Sequence, residues 1–216
     1  MKTSRIGRNW FSRLCRLMCG FYLLPSARLC LAEGQDARAP GMNRPIVIVG
    51  FMACGKTTVA CRLAKLLNCS VLDLDSLISE QENQTVSDLI KERGESSFRL
   101  AETFGLRVIL ERKTARVIAL GGGAWTLERN RKLINEHNCL TIFLDAPFEL
   151  CWKRISKQEA VRPLALDRTS AHKLYRERHP IYARADLSIK VTKEKSADVL
   201  ASEIVAALKR RRFVKA

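Results

Sequence analysis

The sequence has no apolar run long enough to cross a bilayer. The stretch 17–24 near its start is crowded by Arg13 and Arg16, closed by Pro25 and Arg28, and far short of the ~20 residues a spanning helix needs. No membrane partner is therefore expected. The eight cysteines include no C-x-x-C pair and no cysteine–histidine cluster at zinc spacing, which argues against a metal centre held by sulfur. Aromatic residues make up only 6% of the chain, with no stacking motif and no recognition helix, so no nucleic-acid partner is expected either. There is no internal repeat. Acidic side chains are few, 22 against 38 basic ones, which leaves a formal charge of +16 and an attraction for anions.

What is present fits one soluble α/β domain: 216 residues, 47% hydrophobic and 28% charged. Part of the positive charge lies in terminal blocks that read as solvated tails. Seven basic residues stand against Glu33 and Asp36 in the first 41 positions, and Lys209, Arg210, Arg211, Arg212 and Lys215 lie at the end. Residues 1–41 carry features of a secretory signal and of a transit peptide, but the expectation is a disordered or misannotated leader, with translation from Met42 and one domain over 42–216. Cys139 and Cys151 sit in apolar runs as small reduced hydrophobes, so a reducing, cytoplasmic setting is expected.

From Pro45 onward, short apolar runs rich in β-branched residues alternate with amphipathic stretches, the pattern of βαβ units around a parallel sheet. Strands are expected at 46–49, 71–74, 117–120, 141–144 and 187–191. Helices are expected at about 56–67, 75–81, 86–93, 95–111, 127–137, 148–156, 170–183 and 196–211. The strands are nearly continuous in apolar residues, as when helices cover both faces, so ligands are expected beyond their carboxyl ends.

Beyond the first strand, Gly50-Phe51-Met52-Ala53-Cys54-Gly55-Lys56-Thr57 fits G-x-x-x-x-G-K-[ST] at every fixed position and opens a helix. Gly50 and Gly55 let the backbone amides turn inward around phosphate oxygens. Lys56 is expected to bridge the β- and γ-phosphates, and Thr57 to place its hydroxyl on Mg²⁺. Beyond the second strand, Asp73 and Asp75 face the same side if the segment is extended. One carboxylate then serves Mg²⁺ while the other takes the proton of an acceptor hydroxyl; the alternative for Asp75 is a helix N-cap. Arg99 and Arg178 suit a carboxylate through their planar forks, with surface ion pairing as the alternative for each. The triple glycine 121–123 at a strand's end suggests close approach of a ligand. The residues alone thus describe a kinase for a carboxylated polyol.

Gly94-Glu95-x-x-Phe98-Arg99-x-x-Glu102, then Gly121-Gly122-Gly123, Arg162-Pro163-Leu164 and Arg178-His179-Pro180-Ile181-Tyr182, resemble in order the motifs of the shikimate kinase family, over about 46–208. The resemblance implies a three-layer α/β/α P-loop kinase fold with a five-stranded parallel sheet and a mobile lid. It also implies ATP-dependent phosphorylation of the 3-hydroxyl of shikimate to shikimate 3-phosphate, in aromatic amino acid biosynthesis, by a cytoplasmic monomer that uses Mg²⁺.

Carried over residue by residue, the nucleotide is held by Gly50, Ala53, Cys54, Gly55, Lys56, Thr57, Thr58, Arg154 and Arg162, with Arg154 along the adenine and Arg162 closing over the phosphates from the lid. Asp75 contacts the ring hydroxyls and Asp73 supports the metal with Thr57. Arg99 and Arg178 grip the carboxylate, Gly121, Gly122 and Gly123 approach the acceptor, and Glu102 holds the arginines. Lys56, Asp75 and Arg162 carry the chemistry.

Three positions depart from the family pattern. Ala53 replaces a usual glycine, Cys54 beside it is read as an acidic, oxidisable thiol, and Leu120 replaces a frequent threonine. The rival readings are a gluconate-type or nucleoside monophosphate kinase and a catalytically silent nucleotide binder.

Overall fold

The computed structural model describes residues 44–157 and 167–214. Five strands, β1 (Ile46–Val49), β2 (Val71–Asp73), β3 (Val117–Ala119), β4 (Leu140–Asp145) and β5 (Leu187–Lys190), form one parallel sheet in the order β2-β3-β1-β4-β5. Ile46 pairs with Val117 on one side and Leu140 on the other, which puts the amino-terminal starts of β1, β3 and β4 level, whereas at the carboxyl ends β3 stops opposite Ile48 and β4 runs past Val49 to Asp145. β1 to β4 are buried at every residue, so the apolar runs reflect helices on both faces.

Seven helices complete three layers: α1 (Lys56–Leu67), α2 (Leu74–Glu82), α3 (Val86–Arg112), α4 (Glu128–Glu136), α5 (Phe148–Ile155), α6 (Arg168–Tyr182) and α7 (Ala197–Val214), with a short 3₁₀ turn at Ala124–Thr126. α1 packs on β1 to β3 and against α7, whereas α2, α3, α4, the 3₁₀ turn and α6 pack on one another. Ile48, Leu63, Leu72, Leu106 and Ile118 are 0–1% exposed, each contributing about 1.5–3 kcal/mol of burial.

Several boundaries move from the sequence expectation for local reasons. β2 stops at Asp73 because Asp73 turns its carboxylate onto the amides of Asp75 and Ser76, at 3.0 and 3.2 Å, and so caps α2. The N-cap is therefore Asp73, and Asp75 lies in the first helical turn. The two helices expected at 86–93 and 95–111 run on as α3, with the break between them surviving as a kink at Gly94 (φ 78°, ψ 158°). α6 starts at Arg168 because Asp167 and Ser170 form a reciprocal capping box.

Candidate active site

The phosphate loop joins β1 to α1 and turns on three left-handed or near-left-handed residues: Gly50 (φ 149°), Ala53 (φ 57°) and Gly55 (φ 103°). A Cβ on Gly50 would lie 2.9 Å from the carbonyl oxygen of Leu144 and 2.9 Å from Cys54 Sγ, so only glycine fits there. Gly55 caps α1 with no side-chain bond, which leaves the first amides of the helix directed at a ligand. Lys56 Nζ donates to the carbonyl oxygens of Gly50 (3.1 Å) and Phe51 (2.8 Å), and Arg154 on α5 donates to that of Ala53 at 3.1 Å. Arg154 thus grips the loop itself as well as lining the cleft above it. That cleft, about 820 Å³, suits a nucleotide and is lined by the loop, Thr58, Asp73, Asp75, Gly122, Arg154, Lys157, Lys195 and Ser196.

Below the loop, Thr57 Oγ1 donates to Asp73 Oδ2 at 2.6 Å, which joins the two oxygens expected to serve a metal. Both aspartates line the cleft, although Asp75 reaches it from a helix turn and not by strand alternation. Among the described residues no three His, Cys, Asp or Glu side chains gather as a metal site, so a hard cation here needs oxygens from a phosphate as well.

Beside Asp75 the second half of α3 supplies Glu102 and Arg99. Glu102 is 0% exposed and its Oε2 accepts from Arg99 Nη1 at 2.5 Å, while Arg99 Nη2 reaches Glu95 at 2.8 Å. Burial pushes the Glu102 carboxyl up to about 7, against the pull of Arg99; Asp75 raises it further and Arg178 opposes that. The triple glycine is built into this cluster. A Cβ on Gly121 would overlap Asp75 Oδ1 and lie 2.7 Å from Glu102 Oε1, and one on Gly123 would overlap the Arg99 guanidinium; at Gly122 the nearest atom is 3.5 Å away. Gly122 instead offers its carbonyl oxygen to the Tyr182 hydroxyl, which Arg178 also hydrogen-bonds. Arg99 and Arg178 therefore converge on Glu102 from α3 and α6. They are not surface ion pairs.

Beyond the residues given roles from the sequence lies a second cluster. Asp145, at the end of β4 and 8% exposed, accepts from Lys190 and is 3.0 Å from His179 Nε2. Burial would raise its carboxyl, and the bonds from Lys190 and His179 outweigh that and hold it low. Its position just after a strand is the only signal the sequence carries. Cys54 is 1% exposed; it lines the cleft, with its Sγ 3.9 Å from Lys56 Nζ. Leu120 is buried and lines the cleft. Arg162 and most of the expected lid lie outside the described residues.

A family model described as shikimate kinase matches residues 52–209. The shikimate kinase of Ruegeria pomeroyi is 33% identical over 186 residues, covering 85% of this chain and 94% of that protein. That of Lactococcus lactis is 38% identical, over 74% of this chain and 94% of its own. Among solved structures, the Acinetobacter baumannii shikimate kinase in complex with shikimate superposes with a TM-score of 0.72 at 31% identity, over 78% of this chain and 95% of that one.

Proposed function

We propose, from the premise that the chain belongs to the shikimate kinase family, how its residues transfer the γ-phosphoryl group of ATP to shikimate. The observation that carries this reading is the gathering of Asp75, Glu102 and Arg99 about Gly121 and Gly123, with Arg178 facing Glu102, next to a cleft that Asp75, Gly122 and the phosphate loop line.

The amides of residues 50–57 and Lys56 hold the β- and γ-phosphates, and Lys56 exchanges its loop carbonyl partners for phosphate oxygens. Thr57 and Asp73 are hard oxygen donors suited to Mg²⁺, which when bound neutralises phosphate charge. Arg99 and Arg178 take the acceptor carboxylate in charge-assisted bonds. That fixes the ring so that a hydroxyl lies against Asp75, whose carboxylate accepts the hydroxyl proton as the oxygen bonds to phosphorus and ADP leaves. The chain works as a cytoplasmic monomer; among the described residues no helix is long and apolar enough to cross a membrane.

Steady-state kinetics of two variants test these roles. Asp75→Asn should lower kcat by roughly 10²–10⁴-fold with little change in the KM for ATP. Arg99→Ala should raise the KM for shikimate by roughly 10–100-fold, the loss of charge-assisted bonds. An Asp75→Asn enzyme with near-normal kcat, or an Arg99→Ala enzyme with an unchanged KM for shikimate, would overturn the assignment.

A further inference from the structure

Only one of the two carboxylate oxygens of Glu102 accepts a hydrogen bond among the described residues. Oε2 is taken by Arg99, but Oε1 is buried and, among the described residues, has no hydrogen-bond partner. A carboxylate oxygen shut away from water without a donor is unfavourable, and the simplest remedy is a proton. The surroundings set when that proton is worth having. From α3, Arg99 faces Glu102, with Glu95 behind it and 45% exposed to water. From α2, Asp75 lies over the same Gly121 α-carbon as Oε1, and from α6 come Arg178 and Tyr182, whose hydroxyl burial keeps neutral.

Arg99 and Arg178 thus stand against the enclosed carboxylates of Glu102 and Asp75, with Glu95 adding a third, partly exposed carboxylate at Arg99. An acceptor that brings its own carboxylate to Arg99 and Arg178 tips this enclosed group to a net negative charge, with the guanidinium that steadied Glu102 now shared.

We propose that Glu102 takes up a proton from solvent when the carboxylated acceptor binds, so that the added anion leaves the net charge of the enclosed group unchanged. The O–H formed at Oε1 turns that oxygen into a donor, with the Asp75 carboxylate on the same side of Gly121 to accept it. The step is an uptake of H⁺ from buffer, with no other bond made or broken. Glu102 is then more than a brace for Arg99: it couples acceptor affinity to pH. Its carboxyl already sits near 7 before binding, and an added anion raises it further. Acceptor affinity is therefore fully present below about pH 7 and declines as the pH climbs from there through the higher value in the complex.

The proposal rests on the acceptor reading above and is tested apart from it. Shikimate is titrated calorimetrically into the full chain at pH 8, without nucleotide, in phosphate, HEPES and Tris, whose ionisation heats differ. The slope of observed enthalpy against buffer ionisation enthalpy should report an uptake of roughly half a proton per shikimate bound. Glu102→Gln, which keeps the shape and a bond to Arg99, should still bind shikimate and show no uptake. Uptake near zero in the native chain, or uptake unchanged in Glu102→Gln, would overturn the proposal.

A second measurement needs no variant. The dissociation constant of shikimate for the native chain should be flat from pH 6 to about 7 and weaken by up to roughly tenfold by pH 9; a flat profile throughout would contradict it. Binding without proton uptake sinks this proposal alone, whereas no binding at any pH sinks the acceptor assignment and this proposal with it.

Discussion

Ala53 holds a left-handed backbone, φ 57°, in the middle of the phosphate loop, where its Cβ crowds the following carbonyl. The loop needs that turn to aim its amides inward, so the strain is carried at the point of nucleotide contact. Ala53→Gly should relieve it and raise stability by about 1 kcal/mol, seen as a higher midpoint in urea, with a lower KM for ATP. The triple glycine obeys a different rule, since its constraint is space and not φ. Gly121→Ala would drive a methyl group into Asp75 and Glu102, and Gly123→Ala one into Arg99, whereas Gly122 has ordinary clearance. Each of the first two should lower kcat/KM for shikimate by about 10²-fold or more, as misplacing a reacting group by an ångström does. Gly122→Ala should lose less than about tenfold on the same scale. Equal losses at all three positions would show that the glycines act through the backbone and not through their neighbours.

Among the elements, α3 carries Arg99 and Glu102 of the proposed acceptor site, on the helical segment that follows its kink. Gly94 takes φ 78°, ψ 158°, a region essentially closed to other residues, yet a Cβ there would meet nothing within 4 Å. Gly94→Ala therefore tests the backbone alone. It should destabilise by about 1–3 kcal/mol and raise the KM for shikimate while leaving that for ATP unchanged, read by urea unfolding and steady-state kinetics. The break at Gly94 is readable in the sequence because glycine interrupts a helical period. The end of β2 is not, because Asp73 acts there as a cap, a role the alternation of apolar residues does not announce. Likewise the 3₁₀ turn at Ala124–Thr126 is set from outside, by Trp125 Nε1 donating to the carbonyl oxygen of Ile181 at 2.9 Å and Arg131 donating to those of Trp125 and Thr126.

At the scale of the molecule, the parallel sheet is legible because β1 to β4 are short and apolar on both faces, and the phosphate loop because its spacing is fixed by the chain itself. What stays hidden are contacts between residues far apart in sequence. Arg154 meets Ala53 across 101 positions, and Asp145 meets His179 and Lys190 across 34 and 45. Such pairs follow from strand order, which brings β1, β4 and β5 side by side and which no local pattern encodes. The site is the joint product of these levels: adjacent parallel strands deliver the loops from their carboxyl ends, caps and kinks aim them, and close-fitting glycines let the charged groups meet.

The most direct measurement is ADP release by the full chain with Mg-ATP, followed by a coupled assay in the presence of shikimate, gluconate or no acceptor. The account predicts release that requires shikimate, is near background with gluconate, and collapses in Asp75→Asn. Release that ignores the acceptor or favours gluconate, or none from protein that still binds both ATP and shikimate, would contradict it.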